Sequence, residues 1–280
     1  MIKLIDLLLE AANQPKAIIM AGGAGAGKTT FVNQIQSDLD KNNWETFNPD
    51  NYIEGRKQFP DTFIYQTGSK KGQKRDINLS NASIYIKNTL IPKSIESQVN
   101  FLYDTTAADV QGIKDIANKY KGNIIMVMVY AHPIVSFLRN FARPERMVPA
   151  IGVLTSWNST YKTIDDYSKM LGNNFYLVQT GISAEEQNQI DEFNKAYESN
   201  NLKEYFNALL STGKFKSTFR KEPEKPKSPE EIEKYKEKFN NQVDELANQF
   251  REVQNNINQL PNKNKNYSDV VNTVKNFINL

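Results

Sequence analysis

Cysteine is absent from the 280 residues, and with it go a disulfide framework, a thiolate nucleophile and any metal site built on sulfur. A single histidine, His132, excludes multi-histidine metal centres. No apolar run approaches the roughly 20 residues a membrane helix needs, and the mean hydropathy is −0.61. Residues 1–10 are too short, and carry too many acids, for a signal peptide; they read as an amphipathic docking helix. These absences predict a soluble, cytoplasmic protein with no membrane contact. Excess charge of one sign is also missing. The net charge is +3, so the overall balance says little about partners. Locally, residues 51–100 hold eight Lys or Arg against four acids, and 151–200 hold three against seven. Arg56, Lys57, Lys70, Lys71, Lys74 and Arg75 make the basic excess, which reads either as a receiving patch for an anion or as a solvated loop.

What is present begins with Gly22, Gly23, Ala24, Gly25, Ala26, Gly27, Lys28 and Thr29, followed by Thr30. The run fits G-x-x-x-x-G-K-[ST], the loop that cradles nucleotide phosphates. The apolar run 17–21 precedes it as a candidate strand. Phe31, Val32, Ile35 and Leu39 follow at near-helical spacing. Glycines let successive backbone N–H groups turn inward as an anion nest, and the helix start adds its positive dipole end. Lys28 is placed to reach the β- and γ-phosphates, Thr29 to hold Mg²⁺, and the backbone through Thr30 to bind ATP or GTP.

Further along, short apolar runs alternate with helical stretches. Strands are expected at 17–21, 45–48, 99–104, 124–131 and 174–179. Helices are expected at about 28–41, 80–97, 107–121, 133–142 and 148–171. That βαβ series predicts an α/β fold, a parallel sheet flanked by helices, with ligands beyond the carboxyl ends of the strands. Residues 1–212 form the predicted nucleotide-binding domain. The segment 213–229 reads as a charged, Pro-rich linker. Beyond it, 230–280 reads as a helical appendage. Ile232, Tyr235, Phe239, Val243, Leu246, Phe250, Val253, Ile257 and Leu260 recur there every three or four positions. Such a stripe packs on itself or on the core, or serves a protein partner or self-association.

Three sets of polar residues stand at the predicted strand ends. Asp50 follows the second strand, where a carboxylate can orient and deprotonate an attacking hydroxyl; an Asx-turn or helix-start role is the structural alternative. Asp104 closes the third strand as a candidate metal ligand, and the hydroxyls of Thr105 and Thr106 either meet substrate or cap the next helix. Arg139, Arg143 and Arg146 follow the fourth strand. Their guanidinium groups suit the charge spread over a transferring phosphoryl group. His132-Pro133 reads as a strand end.

Residues 22–29, then Asp50-Asn51-Tyr52 with Arg56-Lys57-Gln58-Phe59-Pro60, then Asp104-Thr105-Thr106, then Arg143-Pro144-Glu145-Arg146 resemble the zeta-toxin-like kinases, relatives of the polynucleotide 5′-kinases. The resemblance spans roughly residues 15–180. It implies a P-loop kinase-type core and phosphoryl transfer from ATP or GTP to a hydroxyl. In it Asp50 is the base, and Arg143 and Arg146 clamp the phosphates. Zeta toxins phosphorylate the sugar of UDP-N-acetylglucosamine, so the first expectation is a kinase for a small hydroxyl-bearing molecule such as a nucleotide sugar. A polynucleotide 5′-hydroxyl kinase, with nucleic acid as acceptor, is the second. A nucleotide-regulated binding module without kinase activity is the third.

Overall fold

The computed structural model describes residues 15–120, 123–142, 148–211, 228–260 and 266–280. The expected docking helix at 1–10, nearly all of the linker, and both Arg143 and Arg146 lie outside the described residues.

The centre of the molecule is β1 (Ala17–Ala21), whose five residues are buried. It pairs in parallel with β3 (Phe101–Asp104) on one side and β4 (Ile124–Tyr130) on the other. β2 (Glu45–Phe47) and β5 (Phe175–Gln179) complete the sheet in the order β2-β3-β1-β4-β5, again in parallel. Helices covering a parallel sheet bury its strands on both sides, so they read as unbroken apolar runs; β4, Ile-Ile-Met-Val-Met-Val-Tyr, is buried along its whole length. Because all five strands run the same way, their carboxyl ends share one edge. The register Met20↔Asp104 and Ala21↔Met128 sets the phosphate-loop start beside the last residue of β3.

The helices are α1 (Lys28–Lys41), the single turn α2 (Asp50–Ile53), α3 (Leu79–Tyr85), α4 (Ile91–Glu96), α5 (Val110–Tyr120), α6 (Pro133–Phe141), α7 (Ala150–Tyr161), α8 (Ile164–Leu171), α9 (Ala184–Glu198), α10 (Leu202–Ser211), α11 (Pro229–Gln259) and α12 (Tyr267–Asn279). Two expected helices are interrupted. The stretch 80–97 carries a π-helical turn at Ile86–Leu90, where the N–H of Ile91 donates to the carbonyl of Ile86. Pro92 explains it: proline has no N–H to continue the ladder and its ring crowds the carbonyl four residues back. The stretch 148–171 divides into α7 and α8. Between them Thr163 donates its hydroxyl to the carbonyl of Thr160 at 2.6 Å, a side-chain bond that competes with the helical ladder. The fifth helix starts later than expected, at Val110, because Ala107 is left-handed (φ 56°) and Asp109 accepts from the N–H of Gly112 at 3.0 Å.

His132 ends the β4 segment and sits at the N-cap of α6, 7% exposed. Its ring is edge-on to Phe193 (4.7 Å) and Phe250 (5.3 Å). Phe250 comes from α11, which starts with a capping box between Ser228 and Glu231 and lays Phe239, Val243, Leu246, Phe250 and Val253 against α7, α8 and α10. The last helix, α12, lies along α1, with Tyr267 edge-on to Phe31 and Lys16 donating to the carbonyl of Phe277 at 3.2 Å. Both appendage helices therefore bury most of their apolar stripes on the α/β core, while Ile232 at the start of α11 is exposed. Among the described residues no helix is long and apolar enough to cross a membrane.

Candidate functional site

The loop between β1 and α1 is a backbone structure that only glycine allows at its apex. Gly25 has φ 77°, and a Cβ there would stand 2.3 Å from the carbonyl oxygen of Ser136 on α6. Gly27, with φ 100°, is the N-cap of α1 and contributes no side-chain cap; the first turn holds no acid either. The N–H groups of that turn are thus left for an external anion, at the positive end of a 14-residue helix. Lys28 is half-buried and donates to the carbonyl of Gly22 at 2.7 Å, while Thr29 and Thr30 are exposed.

The first half of the loop is held by α7, from more than 130 positions away. Ser156 Oγ accepts from the N–H of Ala24 at 3.0 Å. Tyr161 Oη accepts from the N–H groups of Gly23 and Ala131, both at 3.3 Å, and donates to the carbonyl of Val129 at 2.8 Å. One phenol with one donor and two lone pairs is thereby fully used. Burial pushes its pKa up, so it stays protonated. Tyr161→Phe would leave three backbone groups at the root of the loop without this partner. A loss of about 2 kcal/mol in denaturant unfolding is expected, together with weaker nucleotide binding in a titration. Wild-type values in both measurements would show that the phenol does not hold the loop.

The acids gather on the other side of β1. Asp104, 9% exposed, presents Oδ1 at 4.0 Å from Lys28 Nζ and accepts on Oδ2 from Asn48 Nδ2 at 3.0 Å. The same Asn48 accepts from the backbone N–H of Asp50 at 2.8 Å. One amide thus spaces the ends of β2 and β3 and fixes the start of α2, whose first residue is the half-buried Asp50. Thr105 continues the β1 ladder by donating its N–H to Met20 at 2.9 Å, and its hydroxyl accepts from the N–H of Ala107 at 3.1 Å. Thr106 is exposed beside it. Helix α5 is capped by Asp109 and not by either threonine.

Arg139 sits on the β4–β5 side. Its Nε donates to Glu186 Oε1 at 2.6 Å and Nη2 to Oε2 at 3.2 Å. Nη1 donates to Thr180 Oγ1, and Nη2 reaches the carbonyl of Gly181 at 2.6 Å. The guanidinium beside Glu186 holds that carboxyl below its ordinary value. Five of the six basic residues at 56–75 also have local partners. Arg56 pairs with Glu54, Lys70 with Asp76 and Lys74 with Asp61, while Lys57 donates to the carbonyl of Thr46. Arg75 lies over the rings of Phe63 and Tyr65, 4.8 Å from each, and donates to Asn81. This segment is a small lobe with its own aromatic core of Tyr52, Phe59, Phe63 and Tyr85, next to Asp50.

The donors fit a nucleoside triphosphate: an uncapped helix start, a lysine at its mouth and glycines where a Cβ would collide. A divalent cation would find Thr29 and Asp104. Among the described residues no three His, Cys, Asp or Glu stand together as a cage, so phosphate oxygens and water would supply the remaining ligands, the usual arrangement for Mg²⁺. Ser156, Tyr161 and Thr180 carry no sequence motif, and the Ser183-x-x-Glu186 capping box signals a helix start without pointing to Arg139. Asn48 ends the strand expected at 45–48, and nothing in that pattern points to its bridging role.

The zeta toxin family model matches residues 5–169, more than half of the chain. No curated protein sequence matches significantly. Among solved structures, the PezAT chromosomal toxin–antitoxin system of Streptococcus pneumoniae is 15% identical (TM-score 0.38), covering 82% of this chain and 87% of that one. Shikimate kinase from Acinetobacter baumannii in complex with shikimate is 15% identical (TM-score 0.36; 69% and 98% covered). A gluconokinase from Sinorhizobium meliloti 1021 is 13% identical (TM-score 0.36; 60% and 85% covered). At these values the structural likenesses carry no weight for activity.

Proposed function

Because this chain belongs to the zeta toxin family, we propose that it is a phosphotransferase moving the γ-phosphate of ATP to a hydroxyl of a small molecule such as a nucleotide sugar. The observation that carries this reading is the polar chain Lys28–Asp104–Asn48–Asp50 at one sheet edge, with 4.0, 3.0 and 2.8 Å between successive members. A lysine of the phosphate loop and the backbone N–H of Asp50, the residue that starts α2, are thereby tied into one network, which supports placing the Asp50 carboxylate at the same sheet edge.

Lys28 and the N–H groups of the loop hold the phosphates. Asp50 accepts the proton of the acceptor hydroxyl as its oxygen bonds to the γ-phosphorus. The bond from that phosphorus to the bridging oxygen breaks, and the nucleoside diphosphate leaves. Thr29 and Asp104 would hold Mg²⁺, whose part is to neutralise phosphate charge. Arg143 and Arg146 are assigned to the transferring phosphoryl group, as the family resemblance implies. A nucleic-acid acceptor has less support, since three of the six basic residues that would track its backbone, Arg56, Lys70 and Lys74, are matched by Glu54, Asp76 and Asp61.

The test is transfer of radiolabelled γ-phosphate to a panel of UDP-sugars, nucleosides and 5′-hydroxyl oligonucleotides. Label on the UDP-sugars is the expected outcome. Label on oligonucleotides alone would replace the small-molecule reading, and nucleotide bound without any transfer would favour a binding module.

A further inference from the structure

The phosphate loop leaves β1, the middle strand, and the two carboxylates stand at the ends of β2 and β3 on one side of it. A triphosphate whose terminal phosphorus faces those acids has to send its nucleoside out the other way, over the ends of β4 and β5. The turn that follows β5 is waiting there. Thr180 packs so closely on the loop that a Cβ on Gly27 would stand 2.8 Å from Thr180 Cγ2. Beside it Gly181 faces open space, and Ile182 is one of the few large apolar side chains left 36% exposed.

Arg139 is what holds this turn. All its polar contacts point toward it: two to Glu186, one to Thr180 and one to the carbonyl of Gly181. Glu186 in turn accepts from the N–H of Ser183 at 2.8 Å within the capping box that starts α9, so both ends of the turn are anchored by one ion pair. A guanidinium neutralised in this way contributes little net charge to a phosphoryl group. We infer that Arg139 is a positioning residue for the donor nucleotide: with Glu186 it pins residues 180–182 against Gly27, and that turn is the wall on which the nucleoside rests. Its apolar face at Ile182 suits the flat side of a base. The inference rests on the donor-nucleotide reading above and replaces the phosphate-clamp role that the sequence pattern suggested for Arg139.

Calorimetric titration of the full chain with ATP and with inorganic tripolyphosphate, both with Mg²⁺, separates the two roles. The proteins are the wild type, Arg139→Ala and Glu186→Gln. Glutamine can keep the capping box while removing the charge, so the second variant guards against misfolding in the first. ATP affinity is expected to fall about tenfold in both variants, while tripolyphosphate affinity stays within about twofold. Equal losses for both ligands in Arg139→Ala, or wild-type ATP affinity in Glu186→Gln, would overturn the positioning role and leave the functional reading intact. A wild-type chain that binds neither ligand would overturn both.

Discussion

Asp50→Asn should bind ATP as the wild type does and transfer phosphate about 10³-fold more slowly, within the 10²–10⁴ range of a lost general base. The substitution is nearly isosteric, and the bond that orients this residue, its backbone N–H to Asn48 Oδ1 at 2.8 Å, does not involve the side chain. The phosphate-holding groups stand on a different segment, at residues 22–29. What the amide cannot do is take a proton. Single-turnover transfer to the labelled acceptor, with nucleotide affinity measured in parallel, checks the separation. A loss below tenfold would demote Asp50 to an ordinary first-turn acid of α2, where a carboxylate favours the helix dipole and does nothing else.

Acidification should destabilise this protein through one ring. His132 is the only histidine, buried between Phe193 and Phe250, and burial lowers its pKa from 6.5 to about 3, with Asn194 offsetting part of the effect. The unfolded chain takes up a proton as the pH falls below 6.5, and the folded chain does not until near 3. The contribution of this ring to stability is therefore constant above about pH 7.5 and declines as the pH drops through that window. The decline amounts to about 2 kcal/mol by pH 5, at about 1.4 kcal/mol per unit. Carboxylates such as Glu186, whose pKa values are lowered by partners, add most of their loss below about pH 4.5, so the histidine dominates the interval from 7.5 to 5. Urea unfolding at pH 7.5 and pH 5 should show the drop in the wild type and a nearly flat response in His132→Leu, whatever that variant's absolute stability. Equal slopes in the two proteins would mean that the imidazole is protonated in the fold.

Much of the architecture was readable from local pattern, because parallel strands buried on both faces are uninterrupted apolar runs. Residues 17–21 and 28–41 appear with the boundaries their composition implied. Two helix breaks did not show because their causes are local chemistry inside an apolar rhythm: the missing N–H of Pro92 and the hydroxyl of Thr163. The site divides in the same way. Lys28 and the glycines belong to a contiguous motif, and the acids were found by asking what stands at the ends of strands. Tyr161 and Ser156 meet the loop across 138 and 132 positions, and Glu186 meets Arg139 across 47. No spacing rule connects residues that only the completed fold makes neighbours. Arg139 follows β4 in the sequence with no spacing that points to the carboxylate on α9, which only the fold sets beside it.

The contact between α12 and α1 also bears on when the protein can work. Lys16 and Phe277, joined by a hydrogen bond, are 261 positions apart, and Tyr267 rests on Phe31 in the helix that opens at the phosphate loop. Closing so long a loop is entropically late. A ribosome making this chain delivers the phosphate loop well before the helix that braces it. Until residues 267–279 have been synthesised, the phosphate-binding helix lacks one of its walls, and a growing chain exposes Phe31 to water or to chaperones. Catalysis of the kind proposed would then switch on only after synthesis has passed α12.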